Sequence, residues 1–151
     1  MLIRKYTDED FVWVNNINQL SYDFPIPELL LSAEIEKGQT WVAVKNDIVI
    51  GYLIGKIKHG VPYVYAITVA YTHREQGIAT KLFEEFEKGF GGLQKPENKR
   101  FWLQVADDNP AQKLYFDLGY RVGYVDEDFY GMTKHALCMY KSKRPFSHYK
   151  S

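Results

Sequence analysis

Tyr65-Ala66-Ile67-Thr68-Val69 runs through a short polar turn into Arg74-Glu75-Gln76-Gly77-Ile78-Ala79-Thr80, and the reading of that junction decides the fold. The first stretch is β-branched and aromatic, as a strand requires. Ile78, Ala79, Leu82, Phe83 and Phe86 then recur at helical spacing. A helix is expected from about Glu75 to Lys88, stopped by Gly89-Phe90-Gly91-Gly92. A helix start leaves several backbone N–H groups unpaired and carries a positive partial charge, which suits a diphosphate. Gly77 and Ala79 keep side-chain bulk away from approaching phosphate oxygens, and Arg74 adds a charged donor. Ordinary helix capping explains the same residues equally well.

Upstream, Leu2 to Tyr6 reads as a strand. Thr7-Asp8-Glu9-Asp10 reads as the capped, acidic opening of a helix through about Leu20. Two prolines break the pattern between Asp23 and Pro27. Glu28 to Lys37 is a second helix, with Leu29, Leu30, Ala33 and Glu36 at helical intervals and Gly38 as its stop. Trp41 to Val44 and Ile48 to Ile57 form a hairpin about Asn46-Asp47. Gly60 and Pro62 mark the next turn, and Tyr63 to Ala70 is the third strand of the meander. Gly51 and Gly55 inside the second of these strands point to a bulge or a close backbone approach.

Downstream, Phe101 to Val105 is a strand and Asn109 to Leu118 a helix closed by Gly119. Tyr120 to Tyr124 and Ala136 to Tyr140 are two last strands, paired antiparallel around a loop near Gly131. The order is β-α-α-β-β-β-α-β-α-β-β, without repeat or linker. It predicts one α/β (α+β) domain over residues 1–151, with a mixed, mostly antiparallel sheet of about seven strands and about four helices. Residues 145–151 read as a flexible or interface tail.

The 19 basic and 19 acidic residues balance, which argues against a nucleic-acid platform. The lone Cys138 lies in an apolar run, where it reads as a buried structural thiol and excludes an internal disulfide. Met1 to Lys5 turns polar after two apolar residues, unlike a signal peptide, and no run is long enough to cross a bilayer. A cytoplasmic protein without membrane contact is the expectation. His59 and His148 have no partners suggesting a metal site, so no metal is expected.

A second segment, Asn109-Pro110-Ala111-Gln112-Lys113-Leu114-Tyr115-Phe116-Asp117-Leu118-Gly119-Tyr120, has an ordinary reading throughout: Asn109 is the N-cap, Pro110 sits at the first helical position and Gly119 is the C-cap. Taken with Arg74-x-x-Gly77-x-Ala79 one strand earlier, however, it resembles the GCN5-related N-acetyltransferase (GNAT) superfamily. Arg74, Gly77 and Ala79 fall on that family's pyrophosphate signature, and Asn109 and Tyr115 on the motif that follows. The first strand and helix, Ile3-Arg4 through Asp10-Phe11, look like the family's as well.

The resemblance implies a sheet splayed between its fourth and fifth strands to admit acetyl-CoA, the acyl donor. Backbone groups of Ile67 and Val69 would pair with the pantetheine arm, and an N–H near Val69 would polarise the thioester carbonyl. Gln76, Gly77, Ile78, Ala79 and Thr80 would hold the diphosphate with Arg74, and Asn109 would contact pantetheine. Tyr115 would be the general acid for the departing thiolate, since a phenol with an ordinary pKa of about 10 stays protonated at neutral pH.

The base stays open. Where one branch of the family, acting on protein N-termini, carries a Glu, this chain has Gln104, which cannot take a proton. Tyr65 through ordered water, Asp107, Asp108 and His135 are candidates, each with an ordinary structural role beside it. The expected reaction is acetyl transfer to a primary amine in a ternary complex, with Gln104 tilting the acceptor towards a small molecule and away from a protein N-terminus or lysine. Tyr22 to Pro25 and Asp126 to Tyr130 combine acids with aromatics, and read either as a site for a cationic amine or as two polar loops. A non-catalytic acyl-CoA-binding module is the alternative of another class. Edge strands and the aromatic segment Pro145 to Tyr149 suit a homodimer.

Overall fold

The structure, a computed structural model, describes residues 1–92, 94–95, 99–127 and 135–142. Among them are seven strands, β1 (Leu2–Lys5), β2 (Gln39–Lys45), β3 (Ile48–Lys58), β4 (Val61–Val69), β5 (Arg100–Ala106), β6 (Arg121–Asp126) and β7 (Ala136–Ser142). Four α-helices accompany them: α1 (Phe11–Ser21), α2 (Glu28–Lys37), α3 (Ile78–Gly91) and α4 (Gln112–Asp117). The strand order is β1-β2-β3-β4-β5-β7-β6. The chain divides into two compact units, Met1–Lys56 with Tyr65–Gly89, and Ile57–Val64 with Phe90–Ser151.

In the first unit, Thr7 and Asp10 form a capping box over a single 3-10 turn, Asp8–Asp10, so the expected helix begins as 3-10 and becomes α at Phe11. Asp10 is tied down by Arg4, whose Nη1 and Nη2 donate to its carboxylate at 2.8 and 2.9 Å. That bond, more than any other cause, holds the Asp10 carboxyl below its ordinary value. Asn18, fully buried, clips α1 to the approach of α2. Its Nδ2 donates to the Ile26 carbonyl at 2.8 Å, and its Oδ1 accepts from the Ile26 N–H at 3.1 Å.

Helix α2 turns a different face inward from the expected one. Leu31, Glu34 and Ile35 are buried, whereas Leu29, Leu30 and Glu36 are exposed. The cause is a charge the hydrophobic pattern hides: Lys56 Nζ on β3 donates to Glu34 Oε2 at 2.9 Å, so a carboxylate goes inside with its partner. Gly38 ends α2 in an extended conformation, φ −105°, and not in the left-handed form a terminal glycine suggests. Its need is for space, because a Cβ there would strike the carbonyl oxygen of Gly55. Gly38→Ala is therefore expected to cost about 3 kcal/mol and to lower Tm by about 6–12 °C. A calorimetric scan showing an unchanged Tm would contradict the close approach.

Both hairpin turns carry paired positive φ, Asn46 and Asp47 at 52° and 63°, His59 and Gly60 at 56° and 75°, the twist that suits two-residue connections. Pro62 is not in the second turn as expected. It lies inside β4, fully buried. The register of β2 on β3 slips between Ala43 and Val44, where Gly51 and Val49 are the successive partners, so Ile50 is the bulged residue beside Gly51. Helix α3 passes Gly89 and ends at Gly91, inside the glycine run expected to stop it. Phe90 is buried, and a Cβ at Gly89 would come within 2.5 Å of the Trp41 ring, so that glycine is a packing contact inside the helix.

In the second unit, β4 pairs parallel with β5 at Tyr63↔Trp102 and Val64↔Leu103; the two strands extend to Val69 and Ala106 respectively. β7 lies between β5 and β6, antiparallel to both, so the last two strands pair as expected. The loop near Gly131 lies outside the described residues. Trp102 sits 4.5 Å from the Tyr63 ring and stacks on Tyr140 at 5.8 Å. α4 is shorter than the Asn109–Leu118 helix expected: residues 109–111 form a turn, and α begins at Gln112.

Candidate functional site

Strand β4 ends at Val69, and the Ala70 N–H donates to the Ile50 carbonyl at 2.7 Å, fastening the strand's exit to the bulge. A 3-10 turn, Tyr71–His73, brings the chain to Arg74. The Arg74 guanidinium folds back, Nε donating to the Val69 carbonyl at 3.0 Å while the group lies 5.6 Å from the Tyr71 ring. Glu75 and Gly77 both take positive φ, 63° and 78°. For Gly77 that conformation is free of strain, and a Cβ built on it meets nothing within 4 Å. The space over Gly77 is open.

The first main-chain bond of α3 runs from Lys81 N–H to Gly77 O at 3.2 Å, so the N–H groups of Ile78, Ala79 and Thr80 precede the helical ladder. Ile78, Leu82 and Phe83 are buried and fix the helix start in place. Bare Gly51 permits the approach: a Cβ there would meet the Thr68 carbonyl oxygen at 3.2 Å and Ile78 Cγ2 at 3.5 Å. An exposed arginine, an open glycine surface and a run of amide donors ahead of the helical ladder thus converge at the positive end of a 14-residue helix. Chemically, the arrangement has the donors and the space to hold an anion with several oxygens.

Ile67 and Val69 lie on β4 just before this turn. Between them Thr68, buried, takes part in a hydroxyl chain with Tyr22 at 2.8 Å and Tyr52 at 3.1 Å. Sequence reading missed Thr68 and Tyr52; a threonine inside an otherwise apolar strand was the available signal. Tyr65 is no ready base: burial, and secondarily Glu34, push its phenol above the ordinary value. Lys56 Nζ lies 5.0 Å from its ring.

In the second unit, Asn109 Oδ1 accepts from the Ala111 N–H at 2.9 Å, a turn ahead of α4; the helix itself is capped at Ala111 without a side-chain bond, not at Asn109 as expected. Tyr115 is buried, at 8% exposure, with its N–H on the Ala111 carbonyl at 3.1 Å. Gly119 takes φ +100°, donating to Phe116 O at 2.9 Å, and Tyr120 N–H reaches back to Tyr115 O at 2.9 Å. Those paired bonds close α4 immediately behind Tyr115. Gln104 is held from both ends, accepting from the Tyr63 hydroxyl at 3.3 Å and donating to Cys138 Sγ at 3.5 Å. Cys138 is buried and burial pushes its thiol up, the opposite of what an acyl-carrying thiolate needs. The Asp107 N–H donates to the His135 carbonyl at 2.9 Å, so two base candidates are adjacent through their backbones, and Asp107 and Asp108 are exposed.

Of the acid-aromatic segments, Asp23 and Phe24 are exposed, and Tyr22 is engaged by Thr68. Asp126 pairs with Ala136 at the start of the last hairpin, while Asp128 to Tyr130 lie outside the described residues, as does the Pro145 to Tyr149 segment. Among the described residues no group of three or more His, Cys, Asp or Glu is placed to hold a metal ion, and no helix is long and apolar enough to cross a membrane.

The profile of the acetyltransferase (GNAT) domain matches residues 36–122, more than half of the chain and inclusive of the turn and Tyr115. An uncharacterised N-acetyltransferase of Methanocaldococcus jannaschii is 25% identical over 146 residues, 95% of this chain and 92% of that protein. The fold is shared with the ribosomal-protein-S18-alanine N-acetyltransferase of Escherichia coli, at TM-score 0.81 and 19% identity over 99% of both chains. It is shared equally with an aminoglycoside 6'-N-acetyltransferase complexed with coenzyme A, at TM-score 0.83 and 15% identity over 98% of this chain and 100% of that one.

Proposed function

The chain belongs to the GNAT acetyltransferase family, and from that premise we propose that residues 1–151 work as one domain transferring an acetyl group from acetyl-CoA to a small-molecule primary amine. The observation that carries the reading is the open start of α3, with exposed Arg74 on the Val69 carbonyl and free space over Gly77. It fits a diphosphate in size, charge and donor pattern.

In this reading Arg74 and the N–H groups of Gln76, Gly77, Ile78, Ala79 and Thr80 bind the diphosphate. Ile67 and Val69 pair through their backbones with the pantetheine arm, which Asn109 also contacts. The amine nitrogen attacks the thioester carbonyl carbon, and the Val69 N–H stabilises the charge that builds on the carbonyl oxygen. As the carbon–sulfur bond breaks, the Tyr115 hydroxyl gives its proton to the sulfur and is reprotonated from solvent. The proton lost by the ammonium leaves to water. Gln104, clamped between Tyr63 and Cys138, removes the carboxylate that a protein-N-terminal branch would place there, which supports the small-molecule acceptor.

The test is CoA release measured across polyamines, amino acids, aminoglycosides and N-terminal peptides. Turnover confined to small amines is the expected result. Turnover confined to peptides overturns the acceptor assignment, and silence across the panel with acetyl-CoA bound would make the chain a binding module.

A further inference from the structure

The end of helix α1 is tied to strand β4 by a hydroxyl chain for which the reaction outlined above has no use. Tyr22, the residue capping α1 at its C-terminus, leaves the helix in an extended conformation, φ −133° and ψ 144°. Its phenol crosses to β4, 2.8 Å from Thr68 Oγ1 and 3.4 Å from the Ile67 carbonyl, to which it donates. Thr68 Oγ1 continues the chain to the Tyr52 hydroxyl on β3, 3.1 Å away. Exposure falls steeply along it: 46% at Tyr22, 5% at Thr68 and nil at Tyr52.

That gradient excludes two roles. The chain has no second opening to water, because it ends on a fully buried tyrosine, so it cannot conduct a proton from one side to another. Burial also raises the Tyr52 phenol far above its ordinary value, so the inner end stays a neutral hydroxyl. What remains is mechanical. A short bond seizes the side chain of the residue between Ile67 and Val69, and a longer one reaches the Ile67 carbonyl itself. A strand inside a sheet needs no such fastening from a helix cap, and the bonded positions are Ile67, which the proposed reading pairs with the donor, and Thr68 beside it.

We propose that Tyr22 is a positioning residue for the acyl donor, holding β4 at Ile67 and Thr68 so that its backbone meets the pantetheine arm in register. The inference rests on the proposed binding of acetyl-CoA along β4. It makes Tyr22 part of the donor machinery although its ring stands at the surface beside exposed Asp23 and Phe24. A displacement of a fraction of an ångström in a positioning strand is enough to reduce turnover, since reacting atoms must meet within narrow limits.

The experiment is steady-state kinetics and acetyl-CoA titration on wild type, Tyr22→Phe, Thr68→Val and Thr68→Ser. Phe keeps the ring and removes only the hydroxyl. The loss of one hydrogen bond predicts kcat/KM for acetyl-CoA lowered about three- to tenfold, with the acceptor KM unchanged. Ser keeps the hydroxyl and should restore the wild-type value, while Tyr22→Phe should cost less in a Thr68→Val background than in wild type, because the bond between the two hydroxyls is already gone. A fall in Tm with kcat/KM intact would show a structural tie only and overturn the proposal. So would a rise confined to the acceptor KM, which would place Tyr22 with the amine. Failure of wild type itself to bind acetyl-CoA would overturn the functional reading beneath it.

Discussion

Tyr115→Phe is expected to lower kcat by about 10²- to 10³-fold while acetyl-CoA binding stays as it was, the size of a lost general acid. The geometry makes the substitution clean. Tyr115 is buried, its N–H is bonded to Ala111, and its carbonyl takes the Tyr120 N–H that closes α4. A phenylalanine ring fills the same volume, so packing holds and Tm shifts by no more than a few degrees. What disappears is the hydroxyl, whose proton the proposed reaction needs only when the carbon–sulfur bond is breaking. The loss therefore belongs in kcat and in kcat/KM together, not in binding. It should also shrink as the leaving thiol becomes more acidic, since a better leaving group needs less protonation. A variant with full turnover towards a good amine would remove Tyr115 from the chemistry.

Gly77→Asp is expected to weaken acetyl-CoA binding by about 100-fold or more and to leave the fold intact. Gly77 has φ +78°, a conformation that aspartate tolerates better than most side chains, and nothing stands within 4 Å of its Cβ direction. A carboxylate in the first turn is moreover favourable for the helix. The new charge stands where the diphosphate oxygens would sit, so it competes for the same N–H groups and repels the ligand. Stability and affinity should accordingly move apart: Tm unchanged or slightly raised, affinity lost. Gly77→Asn supplies the control, with the same backbone tolerance and no charge, and should cost about tenfold.

The junction from Tyr65 to Thr80 was legible because three local rules agree there: a β-branched strand, glycine at a left-handed position, and apolar residues at helical spacing. Gly119 closing α4 was legible for the same reason, being a bond between near neighbours, whereas Asn109 holds the turn before α4 and does not cap it. What escaped the sequence depended on distant partners. The inward face of α2 turns on Glu34 meeting Lys56, a pair 22 residues apart that hydropathy reads as two solvated charges. Gly89 reads as a helix stop because its contact with Trp41 lies far away in the chain, and Pro62 reads as a turn although β4 buries it. The same limit applies to the site. Arg74 and Gly77 could be named from their motif, whereas Tyr22 looked like part of a polar loop until its hydroxyl was found on Thr68. The acceptor lies furthest from sequence, since family membership carries the donor and the relatives sharing this fold include enzymes named for a ribosomal protein and for aminoglycosides.

The most direct test is isothermal titration of acetyl-CoA into wild type and Gly77→Asp side by side at equal ionic strength. Saturable one-site binding to wild type, weakened about 100-fold or more in the variant, is the predicted result. Equal binding to both proteins, or none to wild type, would contradict a donor site at the start of α3.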